Sequence, residues 1–98
     1  ANQEDHVSMG ANSVIKLMEL INNLREIISI EYVLAAQALD LINMNPCIFN
    51  KMLKDIIRES IPFLDADRPV FQDLEKMNTI LDSSDDYEKL ISTIKIDV

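Results

Sequence analysis

A chain of 98 residues holds one small domain, and with a single glycine, three prolines and 48% hydrophobic residues it has little material for β-turns. The formal charge of −8 excludes a phosphate-neutralising nucleic-acid surface and disfavours an anionic membrane surface. Lys16, Glu19, Arg25, Glu26 and Glu31 interrupt the longest apolar segment, so no run reaches the ~20 apolar residues of a spanning helix. The acidic, polar amino terminus is unlike a signal peptide. One cysteine, Cys47, allows no internal disulfide and fits a reducing, cytoplasmic setting. A lone cysteine is usually a small buried hydrophobe, and Cys47 is expected to be one.

Taken in order, the chain begins with a polar stretch, Asn2-Gln3-Glu4-Asp5-His6-Val7-Ser8-Met9-Gly10, expected as a loop with Asp5 or Ser8 capping a long helix. Gly10 weakens a first turn by up to ~1 kcal/mol relative to alanine, which leaves Ser13 as an alternative start. No proline or glycine then occurs from Val14 to Ile42. Apolar residues at 14, 17, 18, 21, 24, 28, 35, 38, 39 and 42 follow the spacing of one helical face. A second set, Leu20, Ile27, Ile30, Leu34 and Leu41, lies on other faces. The spacing predicts a helix over 8–43, roughly 50 Å long at ~1.5 Å per residue. A helix so apolar all round is expected to be core, buried among several others, with Lys16, Glu19, Asn23 and Glu26 as its solvent stripe.

Asn43-Met44-Asn45-Pro46 ends that helix, with Asn45 as cap and Pro46 as first residue of the next. The second helix, about 46–60, sets Ile48, Phe49, Met52, Leu53, Ile56 and Ile57 on one face and Lys51, Lys54, Asp55 and Arg58 on the other. Pro62 stops it. Asp65, Asp67 and Arg68 suggest a salt-bridged loop. Pro69 opens a third helix to about Asp82, burying Val70, Phe71, Leu74, Met77, Ile80 and Leu81. Ser83-Ser84-Asp85-Asp86 starts a short fourth helix, with acids where the helix dipole favours them and Tyr87, Leu90, Ile91 and Ile94 on one side. The expected fold is all-α: a single helical domain over 1–98, one long central helix followed by two to three shorter ones, part of a helical bundle.

Spacing alone offers little chemistry. One histidine and one cysteine make a metal site improbable, so none is assigned. Glu4, Asp5 and His6 are adjacent, which gives no pair a shared helical face. The five methionines are read as packing residues.

The opening motif is more specific. Asn2-Gln3-Glu4-Asp5-His6-Val7-Ser8-Met9-Gly10 closely resembles a motif of the histidine ammonia-lyases, within the aromatic amino acid ammonia-lyase family. Leu24-Arg25-Glu26-Ile27-Ile28, Ile30-Glu31-Tyr32 and Ala35-Ala36-Gln37-Ala38-Leu39-Asp40 resemble that family's long central helix. Ile57-Arg58, Ile61-Pro62-Phe63-Leu64, Asp67-Arg68-Pro69 and Asp73-Leu74 resemble its carboxy-terminal helices. The resemblance implies elimination of ammonia from an α-amino acid, histidine giving trans-urocanate. It implies a homotetramer whose active sites gather residues from several subunits.

By the same resemblance, residues 1–8 form an active-site segment in which Gln3 and Glu4 bind the amino acid substrate. Glu4 is also the catalytic candidate, the carboxylate that meets an imidazole. A carboxylate accepts from an imidazole N–H or pairs with imidazolium, where an amide suits the ring less well. Asp5 and His6 are read as supporting or helix-start residues.

The family's electrophile, a methylidene-imidazolone, is made from its own Ala-Ser-Gly, and this sequence has none: its one glycine follows Met9. No cofactor is therefore assigned to this chain. Tyr32, Tyr87, Arg25, Arg58 and Arg68 match no catalytic motif of the family. The expectation is a carboxy-terminal portion of a histidine ammonia-lyase-like enzyme, inactive alone, that self-associates. Alternatives are a stand-alone helical oligomerisation protein derived from a lyase, or one half of a split lyase.

Overall fold

A computed structural model describes the backbone of residues 2–43 and 45–94, and side chains from Met9 onward within those ranges. Four helices follow in order: α1 (Asn2–Ile42), α2 (Ile48–Arg58), α3 (Val70–Ser83) and α4 (Asp85–Ser92). No strand occurs among the described residues, and the all-α expectation holds.

The 41 residues of α1 set the shape. At ~1.5 Å per residue they span about 60 Å, close to the molecule's longest extent of 63 Å. The expected loop over the first residues is not there, because the backbone is already helical from Asn2. No proline stands in the way, and Gly10 lies within the helix without a positive φ. One internal glycine costs too little to break a helix of this length. At the other end the sequence signal holds: Asn43 has φ 57°, the left-handed conformation that asparagine tolerates better than most residues.

Helix α2 folds back along α1, its Lys54 and Arg58 reaching Asp40. Helix α2 starts two residues later than the sequence suggests, because Cys47 rather than Asn45 takes the extended cap position (φ −61°, ψ 162°). Cys47 is exposed there, against the expectation of a buried thiol. Its carbonyl accepts from the Lys51 N–H at 2.9 Å, so it is held by its backbone rather than its side chain. Pro69 precedes α3, and Ser84 caps α4 by accepting from the Tyr87 N–H at 3.1 Å. The acid-rich first turn of α4 (Asp85, Asp86, Glu88) follows as expected.

The core is small and lies at one end. Ala36, Ile57, Ile61, Met77 and Ile80 are buried together, with Tyr32, Val33, Leu53, Ile56, Leu81 and Tyr87 packed around them. Helix α3 runs antiparallel to α1, since Arg25 meets Asp82 and Ser29 meets Asn78. Every described residue from Met9 to Leu24 is exposed. The expectation that Val14, Leu17, Met18, Ile21 and Leu24 form core is therefore not met within this chain. Three short helices cannot cover a helix of this length. Met77 is the one buried methionine among those described; Met9, Met18 and Met52 are exposed. Ile48, Val70 and Phe71 also stay largely in solvent, because no element reaches over the starts of α2 and α3.

Candidate functional site

The motif that carries the family resemblance occupies the first turns of α1, and the clamps that hold the described helices together lie at the other end. Gln3 and Glu4 are on the helical backbone of α1, while their side chains, and those of Asp5 and His6, lie outside the described residues. Glu4 precedes Arg25, the first residue to pair with another helix, by about 30 Å of helix. The principal clefts among the described residues are lined from Glu26 onward, so none of them includes the motif. No group of metal-ligating side chains occurs among the described residues.

The far end is fixed by polar contacts that the sequence pattern did not isolate. Asp40 accepts from Lys54 Nζ at 2.6 Å and from Arg58 Nε and Nη2 at 2.9 and 2.7 Å. Lys54 and Arg58, on the face of α2 opposite its apolar residues, are both half-buried in this cluster. Their hydrogen bonds hold the Asp40 carboxyl below its ordinary value, outweighing the opposing effect of burial. Arg58 also donates to the Ile61 carbonyl at 3.0 Å, tying the end of α2 to the following turn.

Gln37 holds the same loop from α1, donating to the Leu64 carbonyl and accepting its N–H, both at 3.0 Å. Arg68 pairs with Asp73 at 3.1 Å and donates to the carbonyls of Phe63 and Pro62, so the loop network has Asp73, not Asp65 or Asp67, as its acid. Asp73 is buried at the start of α3, which the sequence did not suggest.

Two further contacts set α1 against α3 and α4. The buried Ser29 hydroxyl donates to Asn78 Oδ1 at 2.6 Å. Tyr32 and Tyr87 meet edge to face with centroids 6.0 Å apart and hydroxyls 3.1 Å apart. Burial, followed by that hydroxyl contact, raises the Tyr87 phenol above its ordinary value. Only the i, i+4 placement of Lys54 and Arg58 on α2 offered a sequence signal for these clamps.

Residues 1–59 match the family model for aromatic amino acid lyases, and the chain belongs to that family. It is 44% identical over 85 residues to a probable histidine ammonia-lyase of Thermoplasma acidophilum, covering 87% of this chain and 17% of that protein. The corresponding probable enzyme of Thermoplasma volcanium gives the same figures. The histidine ammonia-lyase of Vibrio cholerae is 42% identical over 84 residues, 83% of this chain and 16% of that protein. The chain thus spans about one sixth of the length of the curated relatives it matches. No solved structure matches it.

Proposed function

We infer that this chain serves as the carboxy-terminal part of a histidine ammonia-lyase, lending its enzyme one wall of the active site and one long core helix. The observation that carries this reading is the identity to relatives named histidine ammonia-lyase across most of the chain, with the family model spanning the motif. The reaction is elimination of ammonia from L-histidine to give trans-urocanate. Glu4 is assigned to the substrate imidazole, accepting its N–H or pairing with the imidazolium, and to proton transfer at that ring. Gln3 is assigned to hydrogen bonding of the same substrate. Helix α1 fixes both on a rigid element, which suits groups that must be placed to within a fraction of an ångström.

The residues present do not fit the formation of the family's electrophile. The sequence has no Ala-Ser-Gly, and its one glycine, Gly10, sits after Met9 inside regular α1. That group has to come from residues outside these 98. Association with further chain is part of the same reading, supported by the exposed apolar surface from Met9 to Leu24. Self-association into a homo-oligomer in the cytoplasm accords with the family resemblance and with the lone cysteine. No helix among the described residues is long and apolar enough to cross a membrane.

Complementation tests the assignment. The purified chain is expected to release no ammonia from histidine. Co-expression with an amino-terminal lyase segment bearing Ala-Ser-Gly is expected to restore release. Glu4→Ala should then reduce the rate by about 100-fold or more, the range of a lost acid/base group, while Glu88→Ala leaves it unchanged. Ammonia release by the chain alone, or full activity of Glu4→Ala in the complemented enzyme, contradicts the reading.

A further inference from the structure

The bare side of α1 follows a stricter rule than general apolarity. From Gly10 to Leu41, ten residues recur at alternating steps of three and four, the seam of a left-handed coiled coil. Its large members, Leu17, Leu20, Leu24, Ile27, Leu34 and Leu41, are 53–66% exposed, and so are the smaller ones on the surface. Ser29 and Ala36, covered by the chain's own helices, lie on the opposite side of the same helix. Helix α1 therefore has two faces: one taken up by its own chain, and one that no described residue covers along about four and a half heptads, including the half where α2–α4 pack.

We propose that this seam pairs with the same seam of a second copy, antiparallel, about a two-fold axis between Arg25 and Glu26. In that register the seam is complementary to itself from end to end. Leu24 faces Ile27 of the second copy and Leu17 faces its Leu34. At the extremities large meets small: Leu41 faces Gly10, and Ala38 faces Ser13. Among the described residues a Cβ at Gly10 meets nothing within 4 Å, and glycine weakens the helix that contains it. Close approach of another chain supplies the reason for it. The Ser13 hydroxyl already donates to the Met9 carbonyl at 2.9 Å, so it enters the seam without a lost donor.

Charge selects the direction. Glu31 is the one charged member of the seam. Parallel pairing stacks Glu31 on its own copy and Gly10 on Gly10, a repulsion and a gap. Antiparallel pairing sets Glu31 against Leu20, one turn from Lys16 of the second copy, which offers it an opposite charge. It also places the two sets of short helices at opposite ends of the pair. The proposal rests on the self-association inferred above and gives it a surface, direction and register. It makes no use of the catalytic assignment.

Cross-linking of the 98-residue chain reads the register directly. In a Cys47→Ser background, Leu17→Cys combined with Leu34→Cys is expected to give a covalent dimer on mild oxidation, while either single change gives none. The two positions are about 25 Å apart on one helix, too far for an intrachain bond, and Leu17 of two antiparallel copies is equally far from itself. These side chains are exposed, and circular dichroism verifies that the helices persist. Lys16→Glu should weaken the dimer at least tenfold by sedimentation, and adding Glu31→Lys should restore it. Cross-linking of the Leu17→Cys single variant overturns the direction. A dimer by light scattering without the double-variant cross-link overturns the register while self-association stands. A monomer throughout overturns both, leaves the catalytic assignment untouched, and gives the seam to a different helix.

Discussion

Residues 9–24 and residues 25–42 belong to one continuous helix, yet only the second group packs against the rest of the chain. Beyond Arg25 each helix has a partner, and polar contacts tie α1 to what packs on it: Ser29 with Asn78, Gln37 with the Leu64 backbone, Asp40 with Lys54 and Arg58. Before Arg25 the same helix carries leucines, isoleucines and methionines in solvent. An apolar helix face without a partner gains nothing from burial, and helices are held in proteins mainly by tertiary packing. The contrast assigns the two halves different tasks. The packed half anchors α1, and the free half carries the family motif and an apolar surface that no described residue covers.

Substitutions sharpen that contrast, beginning with the largest effect. Met77 is fully buried between the helices, and Met77→Ala should cost about 3 kcal/mol of unfolding free energy in urea titration, the usual cost of a cavity in a core this small. An effect below about 1 kcal/mol would mean that the packed half is not the seat of stability. Asp40→Ala leaves Lys54 and Arg58 half-buried and unpaired, and about 2 kcal/mol of loss is expected, less than for a fully buried pair because these groups retain some solvent contact.

The same carboxylate gives a pH dependence whose sign is fixed. Its folded pKa lies below the ordinary 3.8, so its contribution is fully present above that value and disappears as pH falls through the depressed one. Acid titration of stability should therefore be shallower in Asp40→Asn than in the unaltered chain below about pH 4. Equal slopes would place Asp40 outside the acid response.

Ser84→Ala removes the one side-chain cap described at α4 and should cost about 1 kcal/mol, read by thermal melting. Leu24→Ala is the smallest: within about 0.5 kcal/mol in dilute monomer, because the side chain already stands in water. A loss comparable to that of Met77→Ala would show that the free half is packed after all.

Much of the layout was legible because its punctuation is chemical. Asn43 at a left-handed position, Pro69 ahead of α3 and Ser84 as a cap each have one strong physical reason to stand where they do. The start of α1 was not legible, since Asp5 and Ser8 are good caps that a long helix also tolerates inside it. Nor was the covered face of α1. With apolar residues on nearly every side, periodicity could not show that Ser29 and Ala36 would be buried while Leu20 and Leu34 stayed out. The candidate site was legible in another way. Nothing in the spacing of Gln3 and Glu4 singled them out, and only the likeness of the motif to a known family did. The exposed Cys47 shows the limit of residue-type expectations, because its place was decided by where the chain turns.

Amide hydrogen exchange on the chain at two concentrations tests the division most directly. In dilute solution, where the seam is unpaired, amides of residues 9–24 should exchange quickly while those of residues 29–42 are protected by the core. At high concentration protection should extend into residues 9–24. If that half is equally protected at both concentrations, the free half of α1 is stable without a partner, and the two-part account of this chain is wrong.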